Sequence, residues 1–100
     1  MKENPERKMG EEMPVNIPIQ MICAVDTTGL ITPIRFRFES EDHLIKAVSI
    51  ENTISRDEKV YVGIREKQFI CTVIMGNRKR ILDIRYHVES QKWRIFQILS

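Results

Sequence analysis

Hydrophobic and polar residues alternate with a period of two along most of the chain. This period is typical of half-buried β-strands, whose successive side chains point to opposite faces of a sheet. Two alternating runs, residues 17–25 and 30–38, flank the turn-forming segment Asp26-Thr27-Thr28-Gly29. Together they predict a β-hairpin near the start of the chain.

The register of this first hairpin follows from pairing Val25 with Leu30 across the turn. Met21 then lies opposite Ile34, and one face of the hairpin is almost wholly apolar. Pro33 has no N–H group to donate to a neighbouring strand, so we expect it beside an open edge or a β-bulge.

The last forty residues predict a three-stranded meander. Gly76-Asn77 separates two alternating runs as a two-residue hairpin turn and pairs the residues on either side of it. Residues 89–92 form a four-residue loop that pairs Val88 with Trp93. Both registers place the same residues inward, which supports them because a slip of one residue would reverse every side chain. This predicted core face consists of Phe69, Cys71, Val73, Leu82, Ile84, Tyr86, Val88, Trp93, Ile95 and Leu99.

The segment 40–54 admits two interpretations. The polar residues 40–42 ahead of an apolar run suit the start of a short helix, whereas the β-branched residues that follow alternate as in a strand. We favour the strand. Residues 59–64 predict another short strand, with a turn at residues 65–67.

Six to seven strands joined by short turns predict an all-β fold, either a small, partly open antiparallel barrel or a two-layer sandwich. Residues 13–100 form this one domain, because one hundred residues is close to the commonest domain size. Residues 1–12 have almost no apolar side chains and include Pro5 and Gly10, which predicts a disordered tail.

Composition describes an ordinary soluble protein, with 42% hydrophobic residues, 30% charged residues and a net charge of +2. Residues 1–12 hold three basic and four acidic side chains, and residues 13–100 hold thirteen and ten. This mild basicity is compatible with a polyanionic partner. We expect a cytoplasmic protein with no membrane association, because no apolar stretch approaches the roughly 20 residues that span a bilayer. Cys23 and Cys71, both predicted on core faces, are then reduced thiols.

Catalytic and metal-binding chemistry finds no pattern in the sequence. There is no G-x-S-x-G motif, and buried thiols lack the exposed, electropositive setting of reactive cysteines. His43 and His87 are far apart without zinc-type spacing, and we expect a loop residue and a surface strand residue respectively. The glycines are single, so no phosphate-binding loop is predicted. We expect a non-enzymatic binding module without cofactor or metal.

One candidate site stands out, on the outer face of the meander. The predicted register places Arg85 opposite Phe96 and His87 opposite Arg94. An aromatic ring flanked by arginines suits single-stranded DNA or RNA, whose bases stack and whose phosphates need positive charge. The basic residues 78–80, which follow the Gly76-Asn77 turn, would add a basic rim to this face. Arg35 and Arg37 would extend the rim if the first hairpin lies alongside the meander. The predicted nucleic-acid site comprises Arg78, Lys79, Arg80, Arg85, His87, Arg94 and Phe96.

The same face has two other interpretations. Arginines on the outer side of a strand commonly serve solvation alone, and Asp83 could neutralise one of them. Ile70, Ile74 and Ile98 would be apolar on a face that should be wet, which points to a protein partner or a homodimer. An open sheet edge would serve the same purpose. Trp93 is expected in the core.

A resemblance to known proteins rests on three motifs: Pro-Ile-Arg-Phe-Arg-Phe at residues 33–38, Gly76-Asn77-Arg78 in the hairpin, and Trp93 in the last strand. Through them the chain resembles a group of short bacterial β-rich proteins over about residues 17–99. Because that group has no established activity, the resemblance implies a small β-domain and adds no function.

Overall fold

The alternating residues form six antiparallel strands in the computed structural model, which describes residues 15–100. The strands are β1 (Ile17–Val25), β2 (Ile31–Glu39), β3 (Ile45–Tyr61), β4 (Ile64–Met75), β5 (Arg78–His87) and β6 (Lys92–Ile98). They follow one another around a closed barrel in sequence order, and β1 pairs with β6 to complete it. The all-β prediction is confirmed. Of the two predicted architectures, a barrel and a two-layer sandwich, the barrel is correct. The tail predicted at residues 1–12 lies outside the described residues.

The barrel interior is filled by apolar side chains from five of the six strands, with β1 packed against them. The fully buried residues are Phe36, Val48, Phe69, Cys71, Val73, Leu82, Ile84 and Ile95. Trp93 packs against this core, with its ring centroid 5.5 Å from that of Phe69 and 4.8 Å from that of Tyr86. The structural role predicted for Trp93 is therefore confirmed.

The central segment is a strand, as favoured, and it is longer than predicted. β3 runs without interruption for 17 residues, so the helix alternative for residues 40–54 is wrong. The turn predicted at residues 65–67 is also wrong, because those residues belong to β4. The chain reverses instead at Val62-Gly63, where both residues adopt the positive φ angles that a tight hairpin turn requires.

A β-bulge corrects the predicted register of the first hairpin. Val25 pairs with Ile31 and Met21 with Phe36, so the predicted partners Leu30 and Ile34 are wrong. The shift occurs where β2 contains one extra residue, Ile34, which lies between the pairs on either side. Pro33 is next to this bulge, as expected for a residue that cannot donate a ladder hydrogen bond.

The meander keeps its predicted faces although one of its registers changes. Met75 pairs with Arg78, as the Gly76-Asn77 turn predicts. The loop after β5 begins one residue earlier than predicted, so Trp93 pairs with Tyr86 and not with Val88. This shift moves the register by two residues and leaves the inward face unchanged.

A second bulge, at Phe96, reverses the faces of the last residues of β6. The pairing passes from Ile84–Ile95 to Asp83–Gln97, so Phe96 has no partner on β5. Ile98 consequently packs against the core. Leu99, which was predicted inward, is 44% exposed.

Candidate functional site

Three of the predicted nucleic-acid-binding residues lie together on the outer face of β5 and β6. Arg85 and Arg94 are paired across the two strands, and their guanidinium carbons lie 4.1 and 5.4 Å from the centroid of the Phe96 ring. The predicted pairings of Arg85 with Phe96 and of His87 with Arg94 are wrong, because the turn begins one residue earlier. His87 pairs with Lys92 at the end of the strand.

Two carboxylates neutralise these arginines. Asp83, only 2% exposed, accepts hydrogen bonds from Arg85 Nε at 2.8 Å and from Gln68 at 3.0 Å. Glu66 accepts from Arg94 Nη1 at 2.6 Å and from Arg85 Nη1 at 3.3 Å. The hydrogen bond from Arg94 lowers the pKa of Glu66, against the opposing effect of burial. This arginine cluster (Glu66, Asp83, Arg85, Arg94 and Phe96) therefore has no net charge with which to attract phosphate.

Glu66 is the residue of the cluster that sequence reasoning missed. It belongs to the segment predicted as a turn, and only the extension of β4 back to Ile64 brings it beside β5. Recognising Val62-Gly63 as the turn would have placed Glu66 on a strand beside His87. The neutralising role anticipated for Asp83 is confirmed by its bond to Arg85.

The basic rim at residues 78–80 lies far from this cluster. It begins β5, seven residues before Arg85, which is about 20 Å along an extended strand. Lys79 pairs with Glu51 at 3.4 Å, and Arg80 donates to a backbone carbonyl at the end of the chain. The rim and the arginine cluster therefore do not form one continuous surface.

The arginines of the first hairpin, Arg35 and Arg37, lie on β2, which only β1 separates from β6, the strand of Arg94 and Phe96. Arg37 donates two hydrogen bonds to Gln20 Oε1, at 3.0 and 2.6 Å. Within residues 15–100 neither arginine has an acidic partner. The first hairpin therefore lies alongside β6, with this pair and the arginine cluster on either side of β1, whereas the rim is at the far end of β5.

The largest feature missed from the sequence is an arm formed by residues 57–66 at the end of the β3–β4 hairpin. β3 pairs with β2 only as far as Ser49, and β4 pairs with β5 only from Glu66 onward. The last turn of the hairpin consequently extends beyond its neighbours, in a molecule 53 Å long and 35 Å across.

The tip of the arm is apolar and strongly exposed. Val60, Tyr61, Val62 and Ile64 are 69, 77, 81 and 47% exposed. Tyr61 and Ile64 also line a groove of about 320 Å³ whose other wall is the arginine cluster, including Phe96. The apolar surface of the tip therefore continues toward the barrel wall.

The turn at this tip is unusual in its residue type. Val62 has a φ of 52° and Gly63 a φ of 80°. A β-branched side chain in the left-handed region is a genuine outlier, and this turn type normally uses Asn, Asp or Gly. The β4–β5 hairpin has the same kind of turn, but its two central residues are Gly76 and Asn77, with φ angles of 59 and 68°.

Reactive side chains are few in the described part of the chain. Cys71 is fully buried, and burial raises the pKa of its thiol. Cys23 is half-buried, so its predicted place on the core face is only partly realised. His43 lies in an exposed turn, as expected, and bonds to Glu39 at 2.9 Å. No group of three metal-ligating side chains and no helix able to span a membrane occurs between residues 15 and 100.

Comparison with protein-family models, with curated proteins and with solved structures finds no match to this chain. The resemblance to short bacterial β-rich proteins, the cytoplasmic location and the absence of enzymatic activity therefore stay predictions. Function has to be inferred from the arm and from the side chains around it.

Proposed function

We propose that this protein is a protein-interaction module that presents its arm to a partner. The observation behind this proposal is the cluster of four exposed apolar side chains at the arm tip, Val60, Tyr61, Val62 and Ile64. Tyr61 and Ile64, paired across the hairpin, share one face of the arm, and Val60 lies on the other. Single exposed apolar residues are normal, whereas several together on a projecting element mark a contact surface.

The energy available at the tip is sufficient to direct binding. Full burial of a valine or isoleucine side chain is worth about 1.5–3 kcal/mol relative to exposure. Tyr61 adds a residue type that is enriched among the energetically dominant positions of interfaces. A partner that covers the tip would recover this free energy, which the isolated protein leaves unused.

The surroundings of the tip have the composition of an interface rim. Ion pairs join Lys67 to Glu58 at 2.7 Å and Arg65 to Glu89 at 3.4 Å, and all of these side chains reach solvent. An apolar centre inside a polar, charge-balanced border is the usual organisation of a protein interface. Balanced charge also gives the arm no particular attraction for nucleic acid.

The conformation of Val62 favours the same proposal. A residue held at a disfavoured φ costs free energy that the fold must offset elsewhere, and such residues concentrate at functional sites. Asparagine would relieve the strain in this turn, as it does at Asn77, but it would remove apolar surface. Retention of valine is explained if that surface is used in binding.

The test of the arm is site-specific photo-crosslinking in an extract of the native cell. A benzoylphenylalanine at position 61 should give a discrete crosslinked protein, and the additional substitution Val62→Asn should reduce its yield at least fivefold. Position 22 is the matched control, because Ile22 is also an exposed apolar strand residue but lies on the barrel wall. Equal crosslinking from positions 61 and 22 would refute the proposal.

Binding of single-stranded DNA or RNA is our second candidate function, favoured by the uncompensated charges of Arg35 and Arg37. A labelled mixed-sequence oligonucleotide should then bind with an affinity that falls steeply with salt. If the arginine cluster takes part, Phe96→Ala should weaken binding by about 1–3 kcal/mol, the value of one stacked base. Absence of binding at low salt would exclude this function.

A further inference from the structure

Strands β2 and β3 are paired over only part of their length. Their register runs from Arg35–Ser49 to Glu39–Ile45, and no backbone pairing joins them nearer the β1–β2 turn. In that region, residues 31–33 of β2 pair with β1, and β3 pairs with β4. Two strand edges with unpaired backbone groups therefore border a gap in the barrel wall.

Two further β-bulges cause this separation. β3 contains an extra residue between Ile50 and Asn52 and another between Thr53 and Ser55, relative to its partner β4. Bulges bend a strand and increase its twist. They turn β3 away from β2 and direct it into the arm.

Arg56 crosses the gap. Its Nη1 donates to the carbonyl oxygen of Ile31 at 2.7 Å, and its guanidinium carbon lies 5.4 Å from the centroid of the Phe69 ring. With bond lengths near 1.5 Å, an extended arginine reaches about 7 Å beyond Cα, so this contact spans up to two inter-strand spacings of about 4.8 Å. The gap is therefore no wider than two inter-strand spacings, which leaves room for at most one added strand.

The gap opens as a cleft of about 360 Å³, within the range of peptide and ligand sites. Its apolar lining comes from Leu30, Ile31 and Phe69, and its charged lining from both strands of the hairpin. The lining residues are Gly29, Leu30, Ile31, Arg56, Asp57, Glu58, Lys67 and Phe69.

Only one charge of this cleft is uncompensated among the described residues. Lys67 is paired with Glu58 at 2.7 Å, and Asp57 with Lys59 at 3.5 Å. Arg56 has a backbone carbonyl and an aromatic ring as its neighbours and no acidic partner between residues 15 and 100. A guanidinium held in this way offers its remaining N–H groups to a carboxylate, its strongest and most directional partner.

We propose that the cleft between β2 and β3 binds an extended peptide segment of a partner protein whose carboxylate is received by Arg56. The segment would add to the free edge of β3 as a strand, with main-chain hydrogen bonds providing affinity and the Arg56 contact providing selectivity. This proposal rests on the proposed function in taking the ligand to be a protein, and it assigns that ligand a second contact surface beside the arm.

Selection from random octapeptides displayed on phage tests the cleft directly. We expect enrichment of β-branched sequences that contain Asp or Glu, and replacement of that acid by its amide should weaken binding at least tenfold. The variant Arg56→Gln should lose the same factor. Arg35→Gln is the matched control, because Arg35 is also an exposed arginine on a strand without an acidic partner in residues 15–100, and it should bind as the parent does.

The outcomes separate the cleft from the arm. No enrichment, equal binding of acid and amide peptides, or unchanged binding to Arg56→Gln would each overturn the proposal and leave the arm untouched. Loss of peptide binding in Tyr61→Ser would place the peptide on the arm, which overturns the cleft and supports the proposed function. Displacement of the peptide by an oligonucleotide in the parent but not in Arg56→Gln would make the ligand a polyanion and would also overturn it.

Discussion

Replacing Val62 by asparagine should make this protein more stable while weakening its interactions. Val62 has a φ of 52°, in the left-handed region where a side chain costs about 1–2 kcal/mol per residue. Asparagine tolerates this region because its short polar side chain bonds locally, so most of that cost should disappear. Val62 is the most exposed of the apolar tip residues, and the substitution therefore loses almost no packing within the folded chain.

The expected gain in the free energy of unfolding is about 1 kcal/mol, which raises Tm by roughly 4–8 °C in a domain of this size. Urea denaturation followed by the fluorescence of Trp93, the sole tryptophan, measures it directly. The midpoint should rise with an unchanged m-value, because the surface exposed on unfolding is nearly the same.

The β4–β5 hairpin allows the reverse substitution, asparagine to valine, as a control. Asn77 occupies the same region of φ, at 68°, and Asn77→Val should lower stability by about the same 1 kcal/mol. If Asn77→Val is destabilising but Val62→Asn brings no gain, then the valine is not strained. The argument that its retention reflects binding would then be wrong.

Two further predictions concern buried polar and reactive groups. Glu66→Gln should lower the free energy of unfolding at pH 7 by about 2 kcal/mol, between the values of surface and buried ion pairs, because Arg94 loses its carboxylate. Since the folded-state pKa of Glu66 lies below its ordinary value of 4.5, this contribution is complete above that pH and is lost as the pH falls through the lowered pKa. The difference in the free energy of unfolding between parent and variant should therefore be smaller at pH 3 than at pH 7, and a difference that does not change with pH would contradict the assignment. For the thiols, iodoacetamide should modify Cys23 in the native protein and Cys71 only after unfolding, as read by mass spectrometry, because Cys71 is buried with a raised thiol pKa. Native-state modification of Cys71 would show that the core opens locally.

A structural feature could be predicted from the sequence when residues close together in the chain determine it. The β4–β5 register depends on Gly76-Asn77 and the alternation beside it, and it is correct residue by residue. Pro33 indicates an irregularity near Ile34 but not the register shift that it brings, and the bulge at Phe96 leaves no local pattern, because bulges adapt straight strands to the curvature of a barrel that only long-range pairing creates.

The same distinction explains the candidate site. Arg85, Arg94 and Phe96 are grouped by neighbouring strands, so an approximate register was enough to bring them together. Their neutralisation by Glu66 and the existence of the arm both depend on a Val-Gly turn. That dipeptide has none of the usual composition of a tight hairpin, so β4 was predicted to begin too late.

Closure of the barrel has a consequence for how the chain folds. Five of the six strand interfaces join neighbours in sequence, and the sixth joins β1 to β6 through three residue pairs, Ile17–Ile95 to Ile19–Trp93. The meander can form through short loops, whereas this last pairing closes a loop of more than seventy residues and has a larger entropic cost. Folding should therefore end with the docking of β1 against β6. In the native protein, hydrogen exchange should be fastest at this seam among the hydrogen-bonded strand amides of the barrel wall, and its opening exposes the interior without unfolding the meander.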